Sequence, residues 1–213
     1  MSSPGQTQLF ATAARTANGF KAQFLILATA AAMISKAAAL TSTVTKQRVA
    51  LGAVRPIVAP SVAKANFLKL GEELEACAAA GCEWLHCSVQ DGVFVPKVSF
   101  GAPVVAAARK ACPDTVIDVK LGCIDPENRV AEFAAAGADA ISFHPEATKQ
   151  PAAVAQRIRD AGVAPGIVLN PGTAVASVAP LLDIVDLAVV MLVSPGYGGP
   201  KYTEIAVEKV RAL

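Results

Sequence analysis

From Arg55 onward, short apolar runs alternate with Ala-rich stretches whose apolar positions recur at helical spacing. The runs PIVAPS, EWLHCSV, TVIDVKL, DAISFH, APGIVL and LAVVMLV predict six strands. Between them, helices are predicted over residues 67–80, 103–111, 126–136, 152–161, 175–182 and 204–213. Three of these helices stop at a glycine, in AAAG at Gly81, AAAG at Gly137 and DAG at Gly162, where a residue free to take positive φ ends the helix before the next buried strand. Repeated βα units of this kind belong around a parallel sheet. No G-x-G-x-x-G follows any strand, so a TIM-type (β/α)8 barrel is expected rather than an open dinucleotide-binding sheet. A closed barrel takes eight units in roughly 250 residues. The count here reaches about six, so the expectation is an incomplete barrel that breaks off before two further units.

The first 55 residues follow a different pattern. MSSPGQTQLFATAARTANGFKAQ is rich in Ser, Thr and Ala and has no acid, the composition of a transit peptide. FLILATAAAMI, between Lys21 and Lys36, is apolar but shorter than the ~20 residues a spanning helix needs. Residues 1–55 are therefore expected to be an organelle-targeting segment that is cleaved, and residues 56–213 the barrel domain. A plastid is the first choice of destination, with a mitochondrion or the cytosol as alternatives. No stable membrane span is expected.

Charge sharpens that division. All 17 acids of the 213-residue chain lie from Glu72 onward, so the body is acidic while the overall balance is +2. That removes the electrostatic basis for nucleic-acid binding. Cys77, Cys82, Cys87, Cys112 and Cys123 are odd in number with no C-x-x-C spacing, which indicates neither a disulfide framework nor a zinc knuckle.

In such a barrel, chemistry gathers where strands end. The polar residues there are Ser61, His86, Ser88 and Asp91, Asp118 and Lys120, His144 and Glu146, Asn170, and the SPGYGG turn. Gly196, Gly198 and Gly199 of that turn can bring bare backbone N–H groups close to an anion.

IVAPSV, WLHCSVQDGVFVPK, FHPEAT, LNPGT and MLVSPGYGGPKY, in this order, resemble ribulose-phosphate 3-epimerases of the pentose phosphate and Calvin pathways. The resemblance implies interconversion of D-ribulose 5-phosphate and D-xylulose 5-phosphate. A proton leaves C3, an enediolate forms, and the proton returns on the other face, assisted by a divalent cation (Zn, Fe, Mn or Co). In the family, His and Asp of the second strand, His of the third and Asp of the seventh hold the metal, and the two Asp also serve as acid and base. By this resemblance His86 matches the first metal ligand. Ser88 stands at the position of the first catalytic Asp and is expected not to act as a base, while Lys120 stands where the third-strand His would be. Ser61, Lys120, Gly196, Tyr197, Gly198 and Gly199 are the implied substrate-binding set, with a seventh-strand Asp-Gly-Gly and an eighth-strand Gly-Ser expected beyond Leu213.

Two alternatives accompany this reading. One is a non-catalytic epimerase-like subunit that binds a sugar phosphate or a full-length epimerase, with a homo-oligomer as a further candidate assembly. The other is a lyase- or decarboxylase-like barrel in which Asp118 and Lys120 resemble the opening of a D-x-K-x-x-D motif. Cys123 stands at the closing acid's place.

Overall fold

The computed structural model describes residues 10–16, 19–26, 56–196 and 204–213. Seven strands make one sheet: β1 (Phe10–Thr16), β2 (Gly19–Ile26), β3 (Trp84–Gln90), β4 (Val116–Gly122), β5 (Ala140–Phe143), β6 (Ala164–Leu169) and β7 (Leu187–Met191). Their order is β2-β1-β7-β6-β5-β4-β3. From β3 to β7 every neighbouring pair is parallel, and this part curls into a half-barrel. The helices α1 (Leu70–Ala79), α2 (Ala102–Ala111), α4 (Pro151–Asp160) and α6 (Glu204–Ala212) lie close to the predicted spans, while α3 (Val130–Ala135) and α5 (Val175–Val178) are about half the predicted length and share their spans with 3-10 turns at Pro126–Asn128 and Ala179–Leu181. Gly81, Gly137 and Gly162 all have positive φ at the predicted helix ends. None of the described helices is long and apolar enough to cross a membrane.

The structure departs from the sequence pattern at two places. PIVAPS forms no strand; it touches β3 through an isolated bridge between Ser61 and His86, with the His86 N–H donating to the Pro60 carbonyl at 2.9 Å. Pro56 and Pro60 have no N–H to give, so a full ladder cannot form along this segment. On the opposite side, the edge of β7 is paired antiparallel with β1, Phe10 opposite Met191 through Ala14 opposite Leu187. β1 and β2 fall within the segment whose composition suggests targeting, and the last three residues of β2 begin its apolar run. The rest of that run lies outside the described residues.

Strand alternation sorts the sheet into two faces. Leu85, Cys87, Val89, Ile117, Val119, Leu121, Ile141, Phe143, Ile167 and Leu169 pack against the helices, meeting Leu74, Val105, Phe133, Val154 and Ile158. Each large aliphatic or aromatic side chain buried there contributes about 1.5 to 3 kcal/mol. The alternate residues of the same strands face the concave side. Its floor is Ile57, Trp84, Ala140 and Leu187. Arg109 ties α2 to the strand starts by donating to the carbonyls of Pro113 and Thr115, both at 2.8 Å, and by its ion pair with Asp139.

Candidate functional site

Above that floor the concave face of β3, β4 and β5 is polar. Parallel register sets His86 beside Asp118, and Ser88 beside Lys120, which in turn neighbours Ser142. Gly166 continues this second row on β6. A Cβ there would lie 2.9 Å from the Ser142 Cβ and 3.1 Å from that of Leu187, so glycine leaves room for the row to close. His86, Ser88, Asp118, Lys120, Ser142 and His144 are all buried.

The Asp118 Oδ2 lies 2.7 Å from His86 Nδ1, and the opposite ring nitrogen, Nε2, lies 3.0 Å from Ser88 Oγ. An ionised carboxylate can only accept, so Nδ1 donates to it. In the neutral ring, Nε2 then accepts from the serine hydroxyl. Lys120 reaches across the concavity to Met191 on β7, Nζ to Sδ 3.5 Å. Burial lowers its pKa to about 8 against the opposing pull of Asp118. Burial also lowers His144 to about 3, and the Lys120 charge adds to that effect. The His144 ring packs on Phe94, centroids 4.8 Å apart. Cys87, on the helix-facing side, has its thiol pushed up to about 12 by burial and is inert.

Asp118 Oδ1, Ser142 Oγ and both His144 ring nitrogens are buried with no hydrogen-bond partner among the described residues. Buried polar atoms of this kind are normally satisfied. A polar, hydroxyl-bearing ligand in the concavity would supply the missing partners.

The structure thus brings His86, Ser88 and Lys120 together. Ser61 sits at the margin, half-buried, bridged to His86. Gly196 has φ of +83°, and a Cβ there would meet the Val95 Cβ at 2.9 Å, which places the turn against the β3–α2 loop. Tyr197, Gly198 and Gly199 lie outside the described residues. Other strand-end polar residues turn away from this row. Asp91 accepts from the backbone N–H groups of Val93, Phe94 and Ile124, each at 2.9 Å. Burial raises its pKa, but those bonds outweigh it and hold the carboxyl below its ordinary value. Glu146 accepts from Thr173 Oγ1, and Lys209 caps the same loop by donating to the Asn170 and Pro171 carbonyls at 2.6 and 2.8 Å. Ser142 was not singled out from the sequence. Alternation in DAISFH already put it on the face of His144.

The residues do not fit a divalent cation. Both His86 nitrogens are engaged, and the lysine at the family's third-strand histidine position brings positive charge into the same row. Among the described residues no group of three or more His, Cys, Asp or Glu could hold a metal ion.

A sequence profile of the ribulose-phosphate 3 epimerase family matches residues 57–213. The chain is similar to the chloroplastic ribulose-5-phosphate-3-epimerase of Arabidopsis thaliana, 43% identical over 159 residues, which cover 74% of this chain and 56% of that protein. It is also similar to the ribulose-phosphate 3-epimerases of Rhodobacter capsulatus, 42% identical over 73% of this chain and 69% of that one, and of Candida glabrata, 38% identical over 75% and 71%. The chain therefore spans little more than half the length of the chloroplastic relative. Among solved structures, a mutant tryptophan synthase alpha-subunit from Pyrococcus furiosus superposes with a TM-score of 0.52 at 13% identity, covering 71% of each chain. That likeness concerns the barrel fold alone.

Proposed function

The chain belongs to the ribulose-phosphate 3-epimerase family, and we propose that its concave polar row binds a ketopentose 5-phosphate and labilises the proton at C3, the first half of the interconversion of D-ribulose 5-phosphate and D-xylulose 5-phosphate. The observation that supports this most is the buried His86–Asp118 pair beside Lys120. Asp118 holds Nδ1 of the imidazole, which leaves Nε2 as the acceptor. Rotation of Ser88 about χ1 frees Nε2 to take the proton from C3. The Lys120 ammonium, largely protonated at pH 7, extends into the same concavity and supplies positive charge for the enediolate oxygens. A fixed cation in a dry site stabilises such charge far better than water does. Ser142 and His144 offer their unpartnered atoms to the sugar hydroxyls.

The test is incubation with D-ribulose 5-phosphate in D2O, followed by proton NMR. The expected result is loss of the C3 proton signal by exchange for deuterium, slowed about 100-fold or more in Lys120→Met. Bound sugar phosphate with an unexchanged C3 proton defeats the reading.

The acid-free composition of residues 1–55 and the chloroplastic relative together support import into a plastid. N-terminal sequencing of the protein from isolated plastids checks this, and a mature chain starting at Met1 or Ser2 contradicts it.

A further inference from the structure

The hydrogen bonds around His86 run in one line: carboxylate, imidazole, hydroxyl. Asp118 Oδ2 to Nδ1 is 2.7 Å and Nε2 to Ser88 Oγ is 3.0 Å. All three groups are on the concave face, held by strand backbone rather than by mobile loops. Ser88 and His86 are two residues apart on β3, so their side chains rise side by side, and Asp118 meets the ring across the strand pair. Proton abstraction from a ketose uses only the first two members. Ser88 remains as a hydroxyl whose proton is already directed at a base oriented by a buried acid, the arrangement that activates a serine for attack on carbonyl carbon.

From this line of contacts we infer that Ser88, His86 and Asp118 form a nucleophilic triad that hydrolyses small carboxylic esters. Ser88 Oγ bonds to the ester carbonyl carbon and its proton passes to His86 Nε2. The C–O bond to the alcohol breaks, and the leaving oxygen takes that proton. Water then attacks the acyl-serine, gives a proton to Nε2, and expels Ser88 Oγ, which recovers it. The sum is ester plus water to acid plus alcohol. Asp118 holds the ring and balances the imidazolium. Lys120, the strand-register neighbour of Ser88, extends its ammonium into the same concavity toward Met191 and adds positive potential for the tetrahedral oxyanion. The buried, polar concavity favours a short acyl group on a polar alcohol over a long chain.

The experiment treats the full chain with a short-alkyl fluorophosphonate and maps the adduct by peptide mass spectrometry, alongside p-nitrophenyl acetate turnover. The expected result is one phosphonyl group, on Ser88, unaffected by replacing the exposed Ser177 with Ala. Ser88→Ala abolishes the adduct, and H86Q slows it about 100-fold or more. D118N slows it as well and shifts its pH profile, which a merely structural Asp118 would not do. Absence of labelling in the unaltered, folded protein overturns the triad. So does labelling spread over several serines and insensitive to H86Q. Neither outcome touches the ketose-phosphate reading, whose measure is C3 exchange.

Discussion

The inner faces of β3 to β5 and of β6 and β7 follow the same alternation on the same sheet, yet they hold opposite contents. The first carries His86, Ser88, Asp118, Lys120, Ser142 and His144. The second carries Val168, Val189 and Met191 above Leu187. Both are buried to a similar degree, so exposure does not explain the difference. What separates them is partnership: register between β3 and β4 lets carboxylate meet imidazole, and the two-residue spacing along β3 lets imidazole meet hydroxyl. The apolar half offers one soft acceptor, the Met191 thioether facing Lys120. Charge is tolerated on one side because it arrives with neighbours, and the other side acts as a dry wall that strengthens every interaction opposite it.

Moving charge across this divide should have the largest effect. Leu187 is 1% exposed among Ile57, Trp84 and Ala140. Leu187→Asp loses the packing and buries an acid without a partner, a cost of about 4 kcal/mol or more. Urea unfolding should show this as a midpoint shift. A loss under about 1 kcal/mol would mean that the floor is open to water.

Acid tests the polar half next. His144 has its pKa lowered from 6.5 to about 3 by burial and by Lys120, so below pH 6.5 the unfolded chain binds a proton that the folded one refuses. Stability should be full above that pH and fall by about 1.4 kcal/mol per unit between roughly 6 and 4. Urea midpoints measured across that window check the slope. Replacing Lys120 with Met should end the fall at a higher pH, because one of the two causes of the shift is gone.

A smaller effect is expected at the seam. Gly166→Ala pushes a methyl against the Ser142 and Leu187 Cβ atoms and should cost about 1 to 3 kcal/mol. It should also disturb C3 exchange, because Ser142 has to move. Unchanged stability would show that β5 and β6 give way freely.

These contrasts also mark what the sequence could carry. Helix spans, glycine stops and five of six strands are local patterns, and they were legible. PIVAPS was not, because its apolar content reads as a strand while Pro56 and Pro60 remove the donors that a ladder needs. The site was half legible. Period-two alternation places His86 with Ser88 and Asp118 with Lys120 on common faces. That Asp118 serves His86 follows from register between strands 32 residues apart, which no local window contains. Asp91 and Glu146 have the right residue type and position, but loop backbone and Thr173 claim them instead.

The mildest expected change in stability, and the most informative, comes from making the two halves alike. Lys120→Met replaces the buried ammonium with a thioether facing Met191, extending the apolar wall by one residue. Removing the cation lifts a desolvation penalty and also deprives Asp118 of a favourable neighbour, while His86 still holds that carboxylate at 2.7 Å. The two terms oppose each other, so stability should change by no more than about 1 kcal/mol. Activity should not follow stability, since both proposed reactions, C3 exchange and ester hydrolysis, draw on the positive charge that Lys120 brings into the concavity. A folded protein with an unchanged urea midpoint and at least a 100-fold loss of exchange would assign Lys120 to chemistry rather than to the fold. A large loss of stability with exchange retained in the surviving folded fraction would reverse that assignment, and would make the lysine a structural counter-charge for Asp118.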